Sequence, residues 1–380
     1  MVTWKEYSLE SVCSRLSSGK NIKAKDIVCV GDYPVYGGNG IRGYTQVYNF
    51  DGECAIIGRQ GAYCGNVRYF NGRAYMTEHA VVVCANDNND TRYLSYVLST
   101  MELGRLSGQS AQPGLSVKTL GKQLLKLPPL QIQRKCSKLL QLLEDKIALN
   151  AKINENLLQQ LRSIFSHWFT DNPQIESIRQ IPLNEVCTIV TKGTTPTTLG
   201  KKFVSKGINF IKAESILDNH SIDKNKFAFI DAETNDLLKR SIIKDGDIVF
   251  TIAGSLGRFA LIDSSVLPAN TNQAVAIIRA NRNLVEPEYL YSFFVGNWHN
   301  DYYTKRIQQA VQANLSLGTI KSLPILILPN ESMKNYLETI GPIIKMTKDN
   351  EIEITKLENI RDILLPKLMS GELDVSNITV

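Results

Sequence analysis

Polar side chains on short glycine-rich segments carry the clearest chemistry in this sequence. In the first half of the chain the candidates are Tyr36, Asn39, Arg42, Tyr44, Arg59, Gln60, Tyr63, Gln109 and Gln112. Matching segments of the second half hold Lys192, Thr194, Thr195, Thr197, Lys201, Lys202, Arg258, Gln309 and Gln312. Arginine can bridge guanine, and asparagine or glutamine can bridge adenine, in the major groove, while glycine lets the backbone approach phosphate. As sets they suit the reading of double-stranded DNA, and for any single residue an ordinary solvated loop side chain is the alternative.

The net charge permits a nucleic-acid surface without requiring one. Residues 1–129 hold 14 lysines and arginines against 10 acidic residues, and residues 176–329 hold 17 against 14. Residues 330–380 hold 6 against 9. The positive balance therefore lies mainly in the two segments that carry the polar loops, although a generic soluble surface could show the same excess.

Sequence patterns that could indicate covalent catalysis or cofactor binding lack the context that such chemistry requires. The stretch from Gly38 to Gly43 fits the dinucleotide pattern G-x-G-x-x-G, but a strand and a turn follow it, whereas that pattern must open a helix. The four histidines are scattered. Seven cysteines without a C-x-x-C pair predict reduced thiols and neither a disulfide framework nor a metal site. We expect no catalytic residue and no cofactor in this chain.

The sequence contains two diverged copies of one unit. The separation between matched residues grows from 174 to 200 along the chain, as expected from a few loop insertions. The matches are Leu9-x-x-Val12-Cys13 with Leu183-x-x-Val186-Cys187, Gly19 with Gly193, Thr77-x-x-Ala80-Val81 with Thr271-x-x-Ala274-Val275, Gln112-x-x-Leu115-Ser116 with Gln312-x-x-Leu315-Ser316, and Pro129 with Pro329. A unit this long is a folded lobe, and duplication predicts approximate two-fold symmetry.

Each copy has a mixed α/β texture. Short β-type runs such as residues 54–57, 80–84, 247–250 and 274–278 alternate with turn signals, including Gly37-Gly38, Asp51-Gly52 and Asn71-Gly72. One helix-like segment per copy lies near Tyr93 to Met101 and Tyr289 to Trp298. We therefore predict two α/β lobes within an α+β architecture.

A long helical pattern follows each lobe. Apolar and small polar residues recur in steps of three and four, which is the seam of a coiled coil. The first seam is Cys136, Leu140, Leu143, Ile147, Asn150, Asn154, Leu157, Leu161, Ile164 and Trp168; the second is Ile340, Ile343, Thr347, Asn350, Ile354, Leu357, Arg361 and Leu364. Neither helix can bury its stripe alone, so we predict that the two pack antiparallel and bring Asn150 and Asn350 together. A solvent-facing or partner-facing role for these asparagines is the alternative.

The first helix, from about residue 132 to 168, would be about 55 Å long. As a spacer between the two lobes it would span at most about 16 base pairs of B-DNA. Its length would then set the distance between two DNA half-sites.

Two segments resemble the type I restriction-modification specificity subunits. Asp145-Lys146-Ile147-x-Leu149-Asn150-x-x-Ile153-Asn154-x-x-Leu157, followed by Ile164-Phe165-x-x-Trp168-Phe169, resembles their conserved helical region, and Leu364-Leu365-Pro366-Lys367-Leu368-Met369-Ser370-Gly371-Glu372-Leu373 resembles their C-terminal signature. Gly341-Pro342 departs from the first copy and is expected to shorten or kink the second helix. The resemblance divides the chain into target-recognition domain 1 (residues 1–129), spacer helix 1 (130–175), target-recognition domain 2 (176–329), and spacer helix 2 with the C-terminal tail (330–380).

The resemblance implies a non-catalytic subunit that selects DNA. Each domain would read one half of a bipartite, asymmetric site, and the helices would set the gap and dock two methyltransferase subunits. Those partners would carry S-adenosylmethionine and methylate adenine. Two motor-nuclease subunits, which use ATP and Mg, would join them for cleavage.

Two other classes of function stay open on sequence grounds. One is a self-sufficient nuclease or methyltransferase, and the other is a duplicated adaptor that binds protein or glycan on a helical spacer. The N-terminus shows no signal-peptide core, and no apolar run approaches the roughly 20 residues of a membrane span. We therefore expect a cytoplasmic protein.

Overall fold

The computed structural model of this chain describes residues 3–107, 114–171, 178–307 and 314–378. These residues form two compact units, Met1–Ile147 with Lys356–Val380, and Ala148–Thr355. We call them unit 1 and unit 2. Each unit contains one lobe and a part of each long helix, so this division differs from the four consecutive segments that the sequence suggested. No helix among the described residues is both long and apolar enough to cross a lipid bilayer.

Unit 1 is built on a six-stranded sheet of order β2-β7-β5-β6-β3-β4, antiparallel except where β3 runs parallel to β6. A two-stranded sheet pairs β1 with β8. The strands are β1 (Lys5–Ser8), β2 (Cys13–Ser18), β3 (Tyr33–Gly37), β4 (Gly40–Thr45), β5 (Phe50–Gly58), β6 (Val67–Met76), β7 (Ala80–Ala85) and β8 (Leu124–Leu127). The helices are α1 (Thr91–Ser99), α2 (Val117–Gly121) and the beginning of α3 (Leu130–Ser166).

Unit 2 repeats the same framework. Its main sheet has the order β10-β16-β13-β14, and β17 pairs with β9 as β8 pairs with β1. The strands are β9 (Arg179–Pro182), β10 (Cys187–Lys192), β11 (Ile208–Ile211), β12 (Ala228–Ile230), β13 (Ile248–Thr251), β14 (Phe259–Leu261), β15 (Ala269–Thr271), β16 (Val275–Ala280) and β17 (Pro324–Ile327). The helices are α4 (Ala232–Leu237), α5 (Pro287–Val295), α6 (Trp298–Ile307), α7 (Leu317–Lys321) and α8 (Asn330–Ser370). The difference lies in β11, β12 and β15, which form a separate three-stranded sheet where unit 1 extends its main sheet by the β3–β4 hairpin.

Residues that match between the two copies have the same structural role in both. Leu9 and Leu183 are fully buried in one-turn helices that precede β2 and β10. A Cβ atom at Gly19 or at Gly193 would overlap backbone carbonyl oxygens of the facing turn, so both positions require glycine. Ser116 and Ser316 each cap a short helix by accepting a hydrogen bond from the backbone N–H three residues later. The duplication is therefore one of tertiary structure as well as sequence.

Helix packing in both units completes the cores of the lobes. In unit 1, Cys136 and Leu140 of α3 join Leu368 and Met369 of α8 in one buried cluster with α1 and the sheet. Leu368 and Met369, from the segment that resembles the family's C-terminal signature, therefore belong to the core of unit 1. Every predicted seam position is buried or half-buried.

In unit 2 the corresponding cluster joins the end of α3 to the beginning of α8. Leu161 and Phe165 lie with Tyr336 and Ile340 in the core that covers β13 and β16. The rings of Phe169 and Tyr336 approach to 5.3 Å between centroids, in an edge-to-face arrangement. Phe169 also packs on Tyr289 and Phe293 of α5, so the aromatic motif at the end of the first seam anchors the end of α3 to the second lobe.

Polar side chains fix the register of the seam inside unit 2. Asn350 donates from Nδ2 to Asn154 Oδ1 at 2.8 Å, and Asn154 donates to the Thr347 carbonyl oxygen at 3.0 Å. Asn150 donates to Glu353 Oε2 at 2.7 Å. The segments are therefore antiparallel, as predicted, but the predicted amide pair was wrong by about one helical turn. Asn150 and Asn350, which are equivalent in the repeat, do not pair with each other, because Asn150 bonds to the Glu353 carboxylate and Asn350 bonds to Asn154.

Two further expectations were wrong. Gly341-Pro342 does not shorten α8, which runs from Asn330 to Ser370 with Tyr336, Ile340 and Ile344 buried on both sides of the proline, and a kink there stays a prediction. The predicted turns at Asp51-Gly52 and Asn71-Gly72 lie inside β5 and β6, where Gly52 faces Gly72. Both glycines have positive φ, 116° and 134°, so the strands continue through a conformation that usually marks a turn.

We expect Asn154→Ala to lower the free energy of unfolding by about 1–3 kcal/mol, because the Asn350 amide and the Thr347 carbonyl both lose a buried partner. Urea unfolding of the full chain, followed by circular dichroism, measures the change. Asn156→Ala, at an exposed position of the same helix, is the matched control and should shift stability by less than about 0.5 kcal/mol. Equal losses in both variants would contradict the polar register.

Candidate nucleic-acid interface

Three segments of unit 1 that are distant in sequence converge at one edge of the lobe. The Thr77 N–H donates to the Tyr36 carbonyl oxygen at 2.9 Å, and the Arg59 N–H donates to the His79 carbonyl oxygen at 2.9 Å. The Leu115 N–H donates to the Arg59 carbonyl oxygen at 2.8 Å. These bonds hold the end of β3, the loop after β5 and the turn before β7 together. Residues predicted on separate loops therefore form a single surface.

Several predicted residues present free polar ends on that surface. Asn39 lies in the turn between β3 and β4, Arg42 lies on β4, and Gln60 follows β5; all three are exposed. Tyr63 is 47% exposed. Tyr36 and Tyr44 are half-buried, and the Tyr36 ring packs on Phe70 with 5.1 Å between centroids. The four exposed side chains can reach a ligand, whereas Tyr36 also supports the sheet.

Arg59 is braced inside the lobe. Its Nε donates to the Leu115 carbonyl oxygen and its Nη1 donates to the Glu78 carbonyl oxygen, each at 3.4 Å. The guanidinium thereby ties the loop after β5 to two other loops. A structural role accounts for its position, and its predicted contact with DNA stays a prediction.

Sequence reasoning missed Arg68, which lies exposed on β6 beside the β3–β4 hairpin. A Cβ atom at Gly40 would overlap the Arg68 guanidinium, so the glycine leaves room for the arginine. Burial raises the pKa of the Tyr36 phenol, and the charge of Arg68 offsets part of the rise. Arg68 lies in a strand without a glycine-rich signal, and only the alternation of exposed residues along β6 could have indicated it.

Unit 2 places its predicted residues on two loops. Lys192, the last residue of β10, and Thr197, in the loop after it, are exposed, and Thr194 in that loop accepts a hydrogen bond from Arg240 Nη2 at 3.5 Å. The Thr195 hydroxyl donates to Gln273 Oε1. Thr194 and Thr195 directly follow Gly193, which packs against the Thr271 and Asn272 backbone as Gly19 packs against that of Met76 and Thr77.

The basic residues that follow divide into paired and free side chains. Lys201 Nζ lies 2.7 Å from Glu233 Oε1, and this hydrogen bond raises the pKa of Lys201. Lys202 is exposed. Arg258 forms a two-pronged ion pair with Asp218, at 2.6 and 2.7 Å, so its planar fork is already occupied. A base contact by Arg258 would require Asp218 to release it.

Four predicted residues, Gln109, Gln112, Gln309 and Gln312, lie outside the described residues. All seven cysteines lie within them and carry free thiols. Burial raises the pKa of Cys187 to about 12 and, with a smaller contribution from Cys84, that of Cys13 to about 12. These thiols are therefore protonated near neutral pH.

Comparison with known proteins gives a consistent result. Residues 1–159 and 176–359 each match the sequence profile of the type I restriction modification DNA specificity domain. The chain is 41% identical over 123 residues to the EcoprrI type I restriction enzyme specificity subunit of Escherichia coli; the match covers 31% of this chain and 31% of that relative. It is 22% identical over 387 residues to the MjaIX type I restriction enzyme specificity subunit of Methanocaldococcus jannaschii, covering 92% of this chain and 88% of the relative.

A solved structure shares the fold. The type I restriction-modification system S subunit from M. genitalium superposes with a TM-score of 0.66 at 15% sequence identity, covering 97% of this chain and 96% of that chain. The twofold profile match confirms the internal duplication, and the shared fold confirms the mixed α/β architecture with long helices.

We expect Arg59→Ala and Arg42→Ala to distinguish an arginine that stabilises the loops from one whose side chain is available to DNA. Arg59→Ala should lower the free energy of unfolding by about 1–2 kcal/mol, because two backbone carbonyl groups lose their donor. Arg42→Ala, the same change at an exposed position of the same surface, should alter it by less than about 0.5 kcal/mol. Denaturant unfolding of both variants decides the matter, and a larger loss for Arg42→Ala would contradict the assignment.

Proposed function

This chain belongs to the type I restriction-modification DNA specificity family, and we propose that it is the non-catalytic subunit through which such a complex selects its DNA sequence. The observation that carries the proposal is the duplication: two target-recognition domains share one framework and present different polar loops. Each domain would read one half of a bipartite site. Because the loops differ between the domains, the two half-sites would differ, and the site would be asymmetric.

The exposed side chains of domain 1 supply the required chemistry. Arg42 and Arg68 can bridge guanine or pair with phosphate, and Asn39 and Gln60 can bridge adenine. These groups come from the β3–β4 hairpin, the loop after β5 and strand β6, which the hydrogen bonds described above hold together. A pre-ordered set of donors avoids part of the entropy cost of binding.

In domain 2 the corresponding groups are Lys192, Thr197 and Lys202, which are all exposed. Lysine pairs with phosphate as a compact charge, whereas threonine can bond base edges or phosphate. Here β11 and β12 pair antiparallel and β11 runs parallel to β15, as the β3–β4 hairpin pairs with β6, but these strands form a sheet of their own. Residues 212–227 connect β11 to β12 where only residues 38–39 connect β3 to β4, and this longer connection is the structural reason to expect a different half-site for domain 2.

The long helices would set the gap between half-sites and dock two methyltransferase subunits. Some apolar side chains on α3 and α8 remain exposed, although other faces of both helices are packed. Their exposed fractions are 48% for Leu142, 46% for Ile360 and 61% for Ile363 in unit 1, and 52% for Leu149 and 53% for Met346 in unit 2. Exposed apolar groups on a helix are typical of a protein interface. The family to which the chain belongs supports methyltransferase subunits as the occupants.

The same family supports the wider assembly. The methyltransferase partners would bind S-adenosylmethionine and methylate adenine in the selected site. Two motor-nuclease subunits would use ATP and Mg to cleave DNA that lacks the methyl groups. This chain would contribute the choice of sequence to both reactions and no reacting group to either.

Exchange of one domain tests the modular reading of DNA. Replacing residues 1–128 with the matching segment of another family member should change one half of the methylated sequence and leave the other half unaltered. Sequencing that maps methylated adenines in a host expressing the complex measures both halves. A change in both halves of the methylated sequence, or in neither, would refute the proposal. A strain that lacks this chain is the control for methylation by other methyltransferases.

A charge on the exposed helix face should weaken assembly. Ile363→Glu places a carboxylate where we expect an apolar contact, and should reduce co-purification with the methyltransferase subunits by at least about tenfold. Ile363→Leu, which keeps an apolar side chain at the same exposed position, is the matched control and should leave co-purification unaltered. Equal recovery with both variants would place the docking surface elsewhere, provided that circular dichroism shows both variants folded.

A further inference from the structure

A loop with the same course occurs in both units. In unit 1 it comprises residues 19–31 and lies between β2 and β3; in unit 2 it comprises residues 193–207 and lies between β10 and β11. We call these segments basic loop 1 and basic loop 2. The first residue of each, Gly19 or Gly193, packs against the turn before β7 or β16. Basic loop 1 therefore begins at a turn that belongs to the candidate interface of unit 1, and basic loop 2 begins at the matching turn of unit 2.

Both loops meet the outer edge of a sheet before they enter the next strand. The Val28 N–H donates to the Tyr44 carbonyl oxygen at 2.9 Å, and the Val204 N–H donates to the Phe229 carbonyl oxygen at 2.9 Å. Tyr44 lies on β4 and Phe229 lies on β12, which are the edge strands of their sheets. Each loop is therefore attached by an equivalent antiparallel bridge.

A second glycine closes each loop. A Cβ atom at Gly31 would lie 3.0 Å from the backbone nitrogen of Thr45, the last residue of β4, and one at Gly207 would overlap the carbonyl oxygen of Ile230, the last residue of β12. These two glycines are 176 residues apart, close to the 174 that separate the first pair. Because both ends are fixed, each loop keeps a defined position on its lobe.

Lysines dominate the charge of both loops. Basic loop 1 holds three lysines and one acidic residue, Asp26, and basic loop 2 holds three lysines and no acidic residue. Lys201 pairs with Glu233. The other lysines are exposed and form no ion pair within the described part of the chain; they are Lys20, Lys23, Lys25, Lys202 and Lys206. Like charges held along a fixed loop repel one another and attract an anion.

The duplication favours an anion that both half-sites share. The domains differ elsewhere, since the connection between β11 and β12 is much longer than that between β3 and β4. The phosphate backbone is present at every DNA sequence, whereas the bases differ between half-sites. Lysine suits phosphate because it is a compact charge on a flexible stem, without the planar fork with which arginine matches guanine.

We infer that basic loop 1 and basic loop 2 each bind the phosphate backbone of DNA beside the half-site that their domain reads. The inference rests on the proposed function and adds a division of tasks to it. The two matching loops hold the duplex, and the elements that differ between the domains select the bases. Phosphate contacts position a protein on DNA but carry no sequence information directly.

The salt dependence of DNA binding tests the inference. The complex of the full chain with its methyltransferase subunits is compared with one that carries Lys20→Gln, Lys23→Gln and Lys25→Gln. The slope of log Kobs against log salt concentration should become shallower by about 0.9 for each lysine that neutralises a phosphate. Fluorescence anisotropy should show this with a duplex of the mapped sequence and with one whose half-sites are scrambled. Lys202→Gln with Lys206→Gln should act likewise through basic loop 2.

A charge-matched variant is the control. Lys5→Gln, Lys122→Gln and Lys126→Gln together remove three positive charges from exposed positions of unit 1. Lys5 and Lys126 lie on β1 and β8, and β1 precedes β2, whereas Gly19 follows the other end of β2. The control should leave the slope unaltered. Circular dichroism checks that all variants fold, which we expect because every substituted side chain is exposed.

The outcomes separate this inference from the proposed function. An unaltered slope in the basic-loop variants, or an equal decrease in the control, overturns the inference. A changed methylated sequence in the basic-loop variants also overturns it, because the lysines would then select bases. If the unaltered complex binds both duplexes equally tightly, the proposed function fails, and the slopes still decide the inference.

Discussion

The structure depends on the burial of two helical stripes that cannot be buried separately. In unit 1 the side chains of Cys136 and Leu140 need Leu368 and Met369, and in unit 2 those of Leu161 and Phe165 need Tyr336 and Ile340. Each fully buried side chain of this size contributes about 1.5–3 kcal/mol. Each lobe therefore completes its core with segments that lie far from it in sequence. The lobes share this framework, and their loops are free to diverge without loss of the core.

Polar groups in the seam determine which register the apolar stripes adopt. A repeat of apolar side chains alone allows the helices to slide by a turn at small cost, whereas a buried amide without a partner is expensive. Asn154, Asn350 and Thr347 satisfy one another in a single register, and Asn150 finds Glu353 in the same register.

Arginines in the lobes divide into those that build loops and those that remain available. Arg59 binds two carbonyl oxygens, and Arg258 is held by Asp218. Arg279 forms an ion pair with Asp247, whose side chain is fully buried, at 2.7 Å. Arg42 and Arg68 are exposed on a surface made rigid by backbone hydrogen bonds. Rigid loops with a few free donors are suited to discrimination between bases, because a mismatched base then leaves donors unpaired.

The sequence by itself determined the duplication, the lobe texture, the two seams and the family, because these depend on periodicity and on residues matched along the chain. It could propose exposed residues such as Asn39 and Arg42 from their type and their glycine-rich neighbours. Only the tertiary structure decided that Asn350 pairs with Asn154, that Arg59 is braced while Arg68 is available, and that α8 continues through Pro342. It also decided that Val28 and Val204 attach the two basic loops to the edge strands β4 and β12. Each of these depends on contacts between residues far apart in sequence, whose partners no local pattern specifies.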